Sequence, residues 1–183
     1  ELLTALTERD LRFRSDAKVT EHAIAPVDTA LLDAYCAIDR KALRHYRLER
    51  IREQLRAQDY AGILLADPIN IRYATDTNNL GLWVMHSPSR YVFVATDGPV
   101  VLFEFTSSRH NSEHVETIDE IRPAIPWLYF LAGPRVQEKA ERWAQEVADL
   151  MARHGGGNRR LAVDRCDPWG AQRLTHQGIE LFD

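Results

Sequence analysis

His110-Asn111-Ser112-Glu113-His114 fits the pattern H-x-x-E-H, in which two histidines one helical turn apart hold zinc and a glutamate activates the bound water. That chemistry needs the five residues inside an α-helix, so that positions four apart share a face, and it needs a third protein ligand. Here the motif follows a strand end and Thr106-Ser107-Ser108, without a helical apolar stripe, and nothing brings a downstream carboxylate such as Glu180 to it. It reads as a solvated polar loop. Asp67, Asp76, Asp97 and Asp164 stand at strand ends, where ligands for metal-assisted phosphoryl transfer would also stand. Aspartates there more commonly form turns or cap helices. Gly155-Gly156-Gly157 come after a helix and not after a strand, so they stop a helix and do not cradle a phosphate. No Gly-x-Ser-x-Gly elbow is present, and neither Cys36 nor Cys166 has the local signature of a nucleophile.

The connection from Asn70 to Arg90 differs in character. Asn70, Arg72, Tyr73, Asn78, Asn79, Trp83, His86 and Arg90 mix polar and aromatic groups behind a central strand, which is where α/β proteins carry ligand contacts. The plainer alternatives are that Asn70 caps a short helix, Tyr73 packs on the sheet and Trp83 anchors a domain or subunit contact.

The elements that must position this connection follow from periodicity. A helix is expected from Asp28 or Thr29, with Leu31, Leu32, Tyr35 and Ile38 on one face. A second, of about four turns, carries Leu48, Ile51 and Leu55 inward while Arg47, Arg50, Glu53, Arg56 and Gln58 face water. Strand 61–66 is apolar on both faces, as a central strand covered on both sides should be. Tyr91–Ala95 and Val100–Phe105 form a hairpin around Asp97-Gly98. A less regular strand falls within 118–125, then a long helix from about Pro134 to His154 with Val136, Ala140, Trp143, Val147, Leu150 and Met151 in one stripe. Strand 160–164, a helix from Asp167-Pro168 to Gln177 and strand 179–182 complete an α/β fold, a mixed sheet of about six strands flanked by helices.

Composition sets the outer bounds. The 183 residues, 45% hydrophobic, suffice for one real core. With 23 basic against 27 acidic side chains the net charge is −4, which offers no broad attraction for nucleic acid or an anionic membrane. No apolar run approaches the ~20 residues of a membrane span. Two cysteines in unrelated contexts read as reduced thiols of a cytoplasmic protein. Arg9, Asp10, Arg12, Arg14, Asp16 and Lys18 make the first residues a surface extension. The chain begins at Glu1 and ends inside a strand at Asp183, so it reads as a piece of a longer protein.

Asp67-Pro68-Ile69-Asn70-Ile71-Arg72-Tyr73, the helix Arg47-Leu48-Glu49-Arg50-Ile51, the strand Ile63-Leu64-Leu65 and the hairpin from Tyr91 to Glu104 together resemble the amino-terminal domain of the creatinase, prolidase and aminopeptidase P family, the M24 metallopeptidases with a "pita-bread" catalytic domain. The resemblance covers about residues 44–183. Within the family, Asn70 to Asp76 with Trp83-Val84-Met85-His86 and Arg90-Tyr91 is similar to the branch that holds dimethylsulfoniopropionate lyases.

This resemblance implies ribonuclease-H-like layering and an α/β domain over 41–183; the extension with a helical arm over 1–40 departs from the minimal family pattern and is expected to support dimerisation. It places catalysis in a carboxy-terminal domain outside this chain, where two aspartates, a histidine and two glutamates bind two divalent metals (Zn, Mn, Co or Fe). No position here corresponds to those ligands, so the chain itself is expected to hold no metal and to be inactive. The implied partners are that catalytic domain and a second copy in a homodimer, with Trp83 lining the substrate pocket and Arg72, Tyr73 and His86 as further pocket candidates. Asp67 and Asn70 are expected as structural turn or cap residues. The alternative is a free-standing binding or dimerisation module of the same fold.

Overall fold

The computed structural model describes residues 29–78 and 89–183. The chain divides into two units, Glu1–Asp39 and Arg40–Asp183. In the first, helix α1 spans Thr29–Cys36. Ile38, which spacing placed on this helix's stripe, lies beyond its end and is 50% exposed.

In the second unit, α2 spans Arg40–Ala57 and buries Leu48 and Leu55. It starts ahead of the stretch read as amphipathic because Lys41, Ala42, Leu43 and Arg44 are good helix formers with no glycine or proline among them. The chain turns through Asp59, at φ 56°, whose carbonyl accepts a 3.0 Å hydrogen bond from the Asn158 side-chain amide. It then enters β1, Gly62–Leu65. Gly62 is required by close approach: a Cβ there would stand 2.7 Å from the Val94 carbonyl oxygen on the neighbouring strand.

Helix α3, Pro68–Thr75, follows at once. Strands β2, Tyr91–Ala95, and β3, Val100–Glu104, form the expected hairpin, every residue of both buried. A 3-10 helix at Thr106–Asn111 leads to β4, Glu120–Pro123. A single turn α4, Tyr129–Ala132, and a 3-10 turn at Gly133–Arg135 precede the long α5, Val136–His154. Gly155 ends α5, its N–H donating to the Met151 carbonyl at 2.8 Å. Strand β5, Arg160–Val163, helix α6, Pro168–His176, and strand β6, Glu180–Phe182, close the unit.

The sheet is six-stranded and mixed, in the order β4-β3-β2-β1-β5-β6, with β2 running against all the others. Helices α5 and α6 cover one face. Under them Tyr91 stacks on Phe103 at 4.4 Å and Trp127 lies 4.1 Å from Trp143, among Leu64, Val147 and Leu161. Helices α2 and α3, through Leu48, Ile71 and Ala74, cover the other face over Leu65, Val92, Val94, Val100 and Leu102. The central strands are thus apolar on both sides because each side has its own core.

Candidate functional site

Strands β1 and β5 are parallel neighbours, yet the chain leaves β1 into α3, which packs on α2, and leaves β5 into α6, which packs on α5. The crevice where two such strands end and their helices diverge is the usual ligand position of an α/β sheet. Here the chain fills it. Asp164, just past β5, accepts the Ala66 N–H at 2.8 Å, the Asp67 N–H at 3.0 Å and the Asn70 side-chain amide at 3.0 Å. The donors that would greet a phosphate or carboxylate are therefore taken. Asp67 caps α3, its carboxylate accepting from the N–H groups of Ile69 at 2.8 Å and Asn70 at 3.3 Å, with Pro68 pre-set for the first turn. Asn70, expected as a cap, lies inside the helix and spends its side chain on Asp164. Beside this lock remains a cavity of about 450 Å³ with Ile51, Ile63, Leu65 and Tyr73 among its walls.

The exit of the connection after α3 is held by buried charge. Arg90 and Glu104 are each 1% exposed, and the Arg90 Nε donates to Glu104 Oε2 at 2.5 Å. Arg90 Nη2 donates to Thr77 Oγ1 at 2.6 Å, which lies 2.7 Å from Thr75 Oγ1. Thr75 in turn donates to the Ile71 carbonyl at 2.7 Å. Because Thr75 has one hydroxyl proton and gives it to Ile71, Thr77 must be the donor between the two threonines. The relay from Arg90 through Thr77 and Thr75 to Ile71 therefore runs one way, from the guanidinium to the turn of α3.

The entry of the same connection is held by Asp76, the left-handed residue (φ 55°) that ends α3 and donates its N–H to the Arg72 carbonyl. Three arginines of α2 reach its carboxylate: Arg40 at 2.9 Å, Arg44 at 3.2 Å and Arg47 at 3.8 Å. Burial pushes the Asp76 carboxyl up, but the hydrogen bonds from Arg40 and Arg44 outweigh it and hold the group below its ordinary 3.8. Arg44 also grips both oxygens of Glu116, at 3.0 and 2.7 Å, and lowers that carboxyl too.

Of the four pocket candidates, Arg72 and Tyr73 lie exposed on α3, with the Arg47 guanidinium 5.5 Å above the Tyr73 ring. Tyr73 therefore packs on an arginine as well as toward the sheet. Trp83 and His86 lie outside the described residues. The segment with His110 is a 3-10 helix where a loop was expected, and it ends at Asn111, so His110 and His114 share no α-helical face. Both are exposed. Among the described residues no group of three His, Cys, Asp or Glu is placed to hold a metal.

Two features escaped the sequence reading. One is the Arg90–Glu104 pair. The other is an exposed apolar ridge, Tyr129, Phe130, Leu131 and Trp169, beside a groove of about 520 Å³ that Trp127 and Pro168 also line. Its signal was the unbroken large-apolar run from Trp127 to Leu131, too short to form a buried stripe.

Comparison with known proteins gives a consistent picture. The family model "Creatinase/Prolidase N-terminal domain" matches residues 47–176. Dimethylsulfoniopropionate lyase DddP of Roseovarius nubinhibens is 38% identical over 145 residues, 79% of this chain and 32% of the lyase. The DddP of Roseobacter denitrificans is 38% identical over 164 residues, 90% of this chain and 36% of the lyase. The chain thus spans about a third of the length of these relatives. Among solved structures, an Xaa-Pro aminopeptidase from Streptococcus pyogenes superposes with TM-score 0.54 at 17% identity, over 76% of this chain and 90% of that one. An Xaa-Pro dipeptidase from Bacillus anthracis does so at 0.51 and 15%, over 75% of this chain and 32% of that one. At such identities these two likenesses speak for the fold.

Proposed function

This chain belongs to the creatinase/prolidase amino-terminal domain family, and from that premise we propose that it is the non-catalytic amino-terminal domain of a dimethylsulfoniopropionate lyase-like enzyme. The observation that carries the reading is the 38% identity with such lyases over 79% of the chain. Catalysis belongs to a further domain outside these residues, and a second copy completes a homodimer. The two divalent metals implied by the family would be held there. Among the described residues of this chain no group of three His, Cys, Asp or Glu is placed to hold one.

The reaction class sets what this domain can contribute. Elimination removes a proton from the carbon beside the substrate's carboxylate; that electron pair forms the C=C bond, and the C–S bond breaks to release dimethyl sulfide. The substrate's sulfonium is a fixed cation with no N–H to donate, so an aromatic face is its natural partner, worth about 0.5–2 kcal/mol. Trp83 takes that role, with Tyr73 and His86 as further candidates, and the Arg72 guanidinium is suited to the carboxylate. No described helix is long and apolar enough to cross a membrane.

The test uses the product of the complete reading frame, offered dimethylsulfoniopropionate and, separately, an Xaa-Pro dipeptide. Release of dimethyl sulfide, with KM raised about 2- to 30-fold in Trp83→Ala, is expected. Dipeptide hydrolysis without sulfide release would move the protein to the peptidase branch, and an unchanged KM would remove Trp83 from the pocket.

A further inference from the structure

We propose that Arg90 is a positioning residue, which ties the last turn of α3 to the β2–β3 hairpin and so fixes where Arg72 and Tyr73 stand. The ligand consequence rests on the function proposed above. The structural tie does not.

Four observations support it. First, three parts of the fold converge on one guanidinium: Glu104 at the end of β3, Arg90 itself at the threshold of β2, and Thr77 just past α3. Second, neither side can rotate. Glu104 Oε1 is occupied by the Phe105 N–H at 2.9 Å, and the threonine relay ends on the carbonyl of Ile71, inside α3 and next to Arg72. Third, burial is complete along the whole path, with Thr75 at 0% and Thr77 at 3% exposure. A buried ion pair is no more stable than a well-packed apolar pair, so what this one adds over leucine and methionine is direction. Fourth, the geometry requires arginine. Its planar fork serves an acceptor at Nε and another at Nη2, which the single point charge of lysine cannot do in the same way.

The location gives the tie its meaning. Arg90 precedes β2, whose Val92 pairs with Leu65 at the end of β1. The tie therefore sits at the same end of the sheet as the Asp164 lock, where α3 begins one residue past Asp67. Asp164 holds the start of α3 and Arg90 its finish.

The test compares Thr77→Val, Arg90→Lys and wild type in the 183-residue chain by amide hydrogen exchange. Thr77→Val keeps the Arg90–Glu104 pair and nearly the same shape, so it remains folded. Both variants are expected to exchange about fivefold faster over 71–78, the equivalent of one net hydrogen bond, with β5 and α5 unchanged. Wild-type exchange over 71–78 in both variants, or an equal rise across β5 and α5, would overturn the tie. In the complete-frame product Thr77→Val is then expected to raise KM for dimethylsulfoniopropionate at least threefold with kcat within twofold; an unchanged KM would confine the tie to stability. A wild type that does not turn over this substrate would refute the proposed function, while the exchange result would still decide the role of Arg90.

Discussion

The connection after α3 is anchored at both ends by arginine and carboxylate, but the two anchors are built on opposite plans. At the entry one carboxylate, Asp76, is shared by three arginines near the surface. At the exit one arginine faces one carboxylate with both out of water. The first plan is redundant: any one arginine can leave and water or a neighbour replaces it. The second is less tolerant, because a charge that loses its ion-pair partner there stays out of reach of solvent. Identical functional groups therefore contribute fault tolerance in one place and a single point of failure in the other.

The largest effect is expected of Arg90→Met, about 3–5 kcal/mol in urea denaturation, because it removes the ion-pair partner of a buried carboxylate. The double change Arg90→Met with Glu104→Leu should recover most of that loss; recovery of none would mean that packing, and not charge, governs the exit. Next comes Asp164→Ala, which leaves three donors to partly accessible water and should cost about 1–3 kcal/mol.

Asp76→Asn should cost only up to ~1 kcal/mol at neutral pH, and less at high salt. Its pH dependence has a definite sign. The folded Asp76 carboxyl lies below its ordinary 3.8, so the unfolded chain binds more protons in between, and the stabilisation is complete above 3.8 and lost as pH falls through the depressed value. The gap between wild type and Asp76→Asn should close over that range; a gap that persists in acid would detach Asp76 from its arginines. The smallest effect is expected at the exposed Arg135–Glu138 pair, where Arg135→Ala should leave the denaturation midpoint unchanged.

Local signals made most of the fold legible. Apolar runs marked the strands, Asp67-Pro68 and Asp167-Pro168 marked two helix starts, and three glycines marked a helix end. What stayed hidden depends on distance along the chain. Asp164 meets partners 97 and 98 residues earlier, and nothing in its neighbours announces that. The partner of Asn70 stayed hidden for the same reason, since it is the distant Asp164. Arg90 and Glu104 are another matter. The hairpin register pairs Tyr91 with Phe103 and Val92 with Leu102, so counting one step further out from the Asp97-Gly98 turn sets Arg90 opposite Glu104. Of the pocket candidates, Arg72 and Tyr73 stand exposed on one helix.

The pairing of β1 bears on the order in which the chain is made. Gly62 takes Ala95 as its neighbour on one side and Leu161 on the other, so one edge of the central strand closes early and the other waits for most of the domain. During synthesis from the amino end the hairpin precedes Val136–His154, the helix that shields Tyr91, Phe93, Val101 and Phe103. In that interval a half-sheet stands with its apolar face uncovered and its parallel edge still open. Nascent chains stopped before α5 are therefore expected to aggregate or bind chaperones, and those released after β5 to fold unaided.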